Sequence, residues 1–136
     1  MSSKSQLIKQ INEDWAEEPQ SDICLSILDL LLKLPTDKPS HLTYGRLRNT
    51  ISQSYADREL LLAVQYLTGD RTQLLELHYE LIDEDDIPYP LDDDSVRLAQ
   101  ETGELFHPET GDIVNNYKDK VVLYFMPSNL VKNIIQ

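Results

Sequence analysis

The sequence predicts an α+β domain: a helical core that feeds a small antiparallel sheet, with short amphipathic helices at both chain ends. Three observations carry this. Segments at 5–17, 22–34, 42–53 and 57–68 place their apolar residues at helical spacing. Residues 72–82, TQLLELHYELI, then switch to strict alternation, the period of a half-buried strand. The chain has 136 residues, 40% of them apolar, enough for one buried core, and it lacks the run of about 18 apolar residues that a membrane span needs.

The elements follow in order. In 5–17, Leu7, Ile11 and Trp15 recur every four residues with Ile8 beside them; Ser3 or Ser5 is the expected cap and Pro19 the stop. Residues 22–34, DICLSILDLLLKL, are apolar nearly all round, which predicts a buried central helix capped by Asp22. Residues 42–53 form a weaker helix with Ser40 or Thr43 as cap, Leu47 and Ile51 inward, and Gly45 as a cost of up to about 1 kcal/mol. Residues 57–68 bury Leu60, Leu61, Val64 and Leu67, start at Asp57 and stop at Gly69. In 72–82, Leu75, Leu77, Tyr79 and Leu81 face inward while Glu76, His78 and Glu80 face out.

The acidic stretch after it, broken by Pro88 and Pro90, reads as a solvated connector. A short helix over 94–101 with Asp94 as cap is expected next, then a hairpin in GELFHPETGDIV with PETG as its turn. Strand 120–126, KVVLYFM, is expected to pair with 72–82. A last helix should start at Ser128, with Leu130, Val131, Ile134 and Ile135 on one face. The domain is thus 1–136, with a core at 20–86 and a C-terminal hairpin, strand and helix at 87–136 packing on it.

The order of the central elements is informative. HLTYGRLRNTI as second helix, ADRELLLAVQYLTG as third, and TQLLELHYELID as a strand leading into a wing make residues 20–86 resemble a winged helix-turn-helix domain. The resemblance implies DNA reading by helix 57–68 through Arg58, Glu59, Leu62 and Gln65, supported by Arg46, Arg48 and Arg71. It implies a dimer through the terminal helices if the chain acts as a transcription regulator. Small prokaryotic regulators and defence-system components resemble it at fold level.

Charge argues against DNA. The chain carries −12 at neutral pH. Residues 83–112 alone hold eleven acids and one arginine, whereas 41–82 are nearly balanced at four arginines and five acids. Phosphate contacts through Lys and Arg supply most of a DNA binder's affinity, and the reading helix offers one arginine against Asp57 and Glu59.

Seven carboxylates fall between Asp83 and Asp94. DEDDIPYPLDDDSV lacks the alternate acids, central glycine and terminal glutamate of a calcium loop, so no metal site is expected. Ile87, Tyr89 and Leu91 interleave with the acids. An acidic strip with apolar anchors suits a basic protein partner, through Asp83, Glu84, Asp85, Asp86, Tyr89, Asp92 and Asp93.

Catalysis has no foothold. His41, His78 and His107 are single and far apart, no zinc spacing occurs, and no phosphate-binding or nucleophile motif is present. In NNYKDK, Asn116 stands where a nuclease pattern needs an acid. Cys24, inside the buried helix, reads as a small hydrophobe, and one cysteine allows no internal disulfide. The N-terminus, MSSKSQLIKQINEDW, does not read as a signal peptide, so the cytoplasm is the expected address. The expectation is a non-catalytic interaction or adaptor module without cofactor or membrane, with a DNA-binding regulator as the alternative.

Overall fold

In the computed structural model, which describes residues 3–35 and 40–134, the first element is α1 (Lys4–Trp15). Ser3 caps it reciprocally: its hydroxyl accepts from the Gln6 N–H at 3.2 Å, and the Gln6 carboxamide accepts from the Ser3 N–H at 3.1 Å. The chain then passes through Ala16 and Glu17, both at positive φ. Pro19 opens α2 (Pro19–Lys33) in its first turn, where a missing N–H costs nothing. The expected start at Asp22 is therefore too late. Asp22 lies one turn in, and its carboxylate accepts from the Tyr55 hydroxyl at 3.0 Å.

The next helix, α3 (Tyr44–Thr50), is shorter than expected. The Thr43 hydroxyl accepts from the Arg46 N–H at 3.1 Å and fixes its start. Leu42 is extended instead and exchanges two backbone bonds with Phe125, at 2.8 and 2.7 Å. In α4 (Asp57–Thr68) the N-cap is Ala56, not Asp57. The Glu59 carboxylate takes the Ala56 N–H at 2.7 Å, so the acid one turn in does the capping.

Three strands form one antiparallel sheet: β1 (Leu75–Ile82), β2 (Pro88–Leu91) and β3 (Val121–Pro127), in the order β2-β1-β3. The expected pairing of the strand at 120–126 with the one at 72–82 is present: the Ile82 N–H donates to Lys120 O at 2.8 Å and the Ser128 N–H to Leu74 O at 3.0 Å. The architecture is α+β. The unforeseen strand is β2, which lies inside the supposed connector and pairs Leu81 with Tyr89 and Tyr79 with Leu91. Its two prolines alternate along an edge strand, where a missing N–H is tolerated on the solvent side.

After β2 comes α5 (Asp93–Thr102), capped by Asp92 rather than Asp94. Asp92 Oδ1 accepts from the Ser95 N–H at 2.7 Å. The last expected helix is a short 3₁₀ stretch, Asn129–Asn133, with Val131 buried and Leu130 exposed. Ile135 lies outside the described residues.

The chain forms two compact units: Met1–Glu76 with Phe125–Gln136, and Leu77–Tyr124. The first unit is built on α2, whose Ile23, Cys24, Ile27, Leu28 and Leu31 meet Leu60, Ala63, Val64 and Leu67 of α4 and Leu7 and Ile11 of α1 in one cluster. Each leucine, isoleucine or valine among them contributes about 1.5–3 kcal/mol on burial. Leu7 and Ile11 of the α1 stripe are therefore buried within their own unit, with Ile8 and Trp15 partly buried against the same cluster. Asp14 ties α1 down further: Arg71 donates to both its oxygens at 3.0 and 2.9 Å.

The second unit has a smaller core of Leu81, Leu91, Ala99, Leu105 and Val114. Alternation in β1 is imperfect. Leu77, expected inward, is exposed, and Glu80, expected outward, is buried.

Candidate functional site

The acidic stretch folds as three consecutive devices. Asp83, Glu84, Asp85 and Asp86 make the turn between β1 and β2, closed by the Asp86 N–H donating to Asp83 O at 3.0 Å, with Asp86 at φ 58°. Asp85 braces that turn. One carboxylate oxygen takes the Ile87 N–H at 3.1 Å and the other takes the Tyr89 hydroxyl at 2.7 Å. Asp92 caps α5, and Asp93 and Asp94 occupy its first turn, where the helix dipole favours negative charge. Asp94 also pairs with Arg97 at 2.6 Å. The connector is thus turn, edge strand and helix start, and its Asp85 and Asp92 carboxylates hold backbone N–H groups.

Two of the stretches singled out in the sequence meet here. The hairpin expected around PETG is present. Leu105 O accepts from the Val114 N–H at 2.8 Å, Asp112 O from the His107 N–H at 2.7 Å, and His107 O from the Gly111 N–H at 2.9 Å. Gly111 lies at φ 75°, a conformation that a side chain resists. This loop and the acidic turn enclose a cleft of about 390 Å³, lined by Asp83, Glu84, Asp85, His107, Thr110, Asp112, Ile113, Val114, Asn115 and Lys120. The His107 ring meets Tyr89 edge-on at 4.6 Å between centroids.

The cleft is acidic. Among the described residues Lys120 is its one ammonium, and Asp83 faces it at 3.0 Å, with both side chains about one-quarter exposed (28% and 25%). That bond to Lys120 holds the Asp83 carboxyl below the usual carboxylate range. The Tyr89 hydroxyl does the same for Asp85, helped by the Ile87 N–H. Glu84 and Asp112 are exposed on the same cleft, and Ile113 adds an apolar rim at 54% exposure. Among the described residues, no three His, Cys, Asp or Glu side chains are grouped to hold a metal ion.

Of the strip expected to dock a partner, Asp83, Glu84 and Asp85 reach the cleft, and Tyr89 supports it through Asp85. Asp86 belongs to the turn, and Asp92 and Asp93 to the start of α5. His107, Thr110, Asp112 and Lys120 were not foreseen as its partners. The available signal was the pairing of a distinctive turn, HPETG, with the only lysine-rich stretch after the acids.

The residues expected to read DNA are less coherent. Arg58 and Gln65 are exposed on α4, but Leu61 and Leu62 stand exposed between them. Arg48 pairs with Asp57 at 3.1 Å and Arg71 with Asp14 at 2.9 Å. Arg46 is exposed on α3. Cys24 is buried and its thiol is pushed up to about 12, so it is not a thiolate at neutral pH.

No protein-family model, curated protein or solved structure matches this chain. No helix among the described residues is long and apolar enough to cross a membrane.

Proposed function

We propose that the chain is a small, non-catalytic interaction module that binds a basic protein segment in the cleft between the acidic turn and the 107–115 loop. The cleft itself carries this reading: Asp83, Glu84, Asp85 and Asp112 face one ammonium, already paired, beside an exposed isoleucine. An arginine or lysine side chain entering there gains charge-assisted hydrogen bonds, and Ile113 receives its aliphatic stem.

The order α2, α3, α4, β1, β2 supports a winged-helix-like arrangement, with the β1–β2 hairpin as wing. Such a fold serves adaptors as well as DNA readers, so the site decides. An adaptor in a prokaryotic regulatory or defence complex fits this reading. This reading does not call on the homodimer expected through the terminal helices.

Fluorescence anisotropy separates this from the DNA alternative. A labelled arginine-rich peptide should bind wild type and weaken with Glu84→Gln plus Asp112→Asn. Tighter binding of duplex DNA than of the peptide, lost in Arg58→Ala and steeply salt-dependent, would replace the adaptor reading with the regulator.

A further inference from the structure

His107 is placed so that a change of charge is also a change of loop shape. Its Nδ1 accepts from the Glu109 N–H at 3.0 Å and, more weakly, from the Thr110 N–H at 3.4 Å. An imidazole nitrogen that accepts carries no proton, so the ring in this turn is neutral, with its proton on Nε2. These bonds hold the same turn that the bonds of His107 to Asp112 and Gly111 close.

We propose that the 107–112 loop is a pH-operated latch on the cleft. Protonating His107 makes Nδ1 a donor, ends both bonds into it, turns the ring toward the acidic turn and releases residues 109–110. This holds whether or not the cleft takes a partner.

The charged groups that line the cleft with the ring are Asp83, Glu84 and Asp85 from the β1–β2 turn, Asp112 from its own loop and Lys120 ahead of β3; Tyr89 of β2 meets the ring edge-on, and Glu109 reaches it through its backbone N–H. Among the described residues that line the cleft, carboxylates outnumber the one ammonium, which Asp83 already engages. The two backbone donors need Nδ1 unprotonated. Imidazole ordinarily changes charge between about pH 5 and 8. Asp83 and Asp85, both held below the usual carboxylate range, stay ionised through that window and do not drive the change.

The test is amide hydrogen exchange by NMR on the full chain from pH 8 to pH 5, corrected for intrinsic rates. Protection at Glu109 and Thr110 should fall in a single transition, by up to about tenfold, the factor that one net hydrogen bond supports. His107→Asn retains a side-chain acceptor two residues before Glu109, as in an Asx turn, and does not titrate; its loop should stay closed throughout. Unchanged protection in wild type overturns the proposal. So does the same transition in His107→Asn, which would assign the event to carboxylates. The ring nitrogen shifts of wild type decide independently of any variant: an Nε2–H tautomer at pH 8 is required, and an Nδ1–H tautomer contradicts the latch.

Discussion

Leu81→Ala tests whether the cleft rests on a small core of its own. Leu81 is 0% exposed at the centre of the cluster with Leu91, Ala99, Leu105 and Val114. Truncating a fully buried leucine costs about 2–5 kcal/mol, the lost transfer energy plus the cavity left behind. A core of this size rarely supplies more than about 3–5 kcal/mol, so the change removes most of what holds Leu77–Tyr124 together. The chain has one tryptophan, Trp15, packed against the core of the first unit. Urea unfolding read at once by Trp15 fluorescence and by the NMR signals of Tyr89 and His107 therefore separates the units. In Leu81→Ala the Tyr89 and His107 signals should collapse at lower urea than the Trp15 signal. Coincident transitions, or a cost under about 1 kcal/mol, would refute the reasoning.

Three further outcomes are expected. Asp14, Asp83, Asp85 and Asp92 are all held below the usual carboxylate range, by Arg71, Lys120, Tyr89 and the Ser95 N–H respectively. Their stabilisation is fully present above the unfolded carboxylate value of about 4 and is lost as pH falls through the lower folded values; urea midpoints should hold from pH 7 to 5 and drop below pH 4, less steeply in Asp14→Asn. Thr43→Ala removes the side-chain cap of α3 and should cost about 1 kcal/mol by the same unfolding assay. Cys24 should resist a thiol reagent in the native protein and react at once in urea, because burial keeps it protonated.

The helical half of the fold was legible because its signals are local. Leu7, Ile11, Leu60, Val64 and Leu67 recur at helical spacing, and all are buried. Boundaries shifted where a cap lay one or two residues, or a turn, from the obvious one, as with Glu59 serving Ala56 and Asp92 replacing Asp94. The edge strand β2 was hidden by its composition. Two prolines and a crowd of acids read as solvent-borne, and only the register against β1 shows that edge position makes both tolerable.

The candidate site was half legible. The acids and the HPETG turn both stood out, but their meeting depends on pairing across distant residues. Asp83 finds Lys120 only because Ile82 bonds to Lys120 in the sheet, and no periodicity encodes that.

A basic segment held by Glu84, Asp112 and their neighbours should leave a local footprint. Chemical-shift mapping with an arginine-rich peptide at low ionic strength, where surface charge is least screened, reads it directly. Shifts should concentrate on Asp83–Asp85 and on residues 107–115, and vanish in the Glu84→Gln, Asp112→Asn double variant. No shifts at all, or shifts confined to α4 around Arg58 and Gln65, would contradict the account.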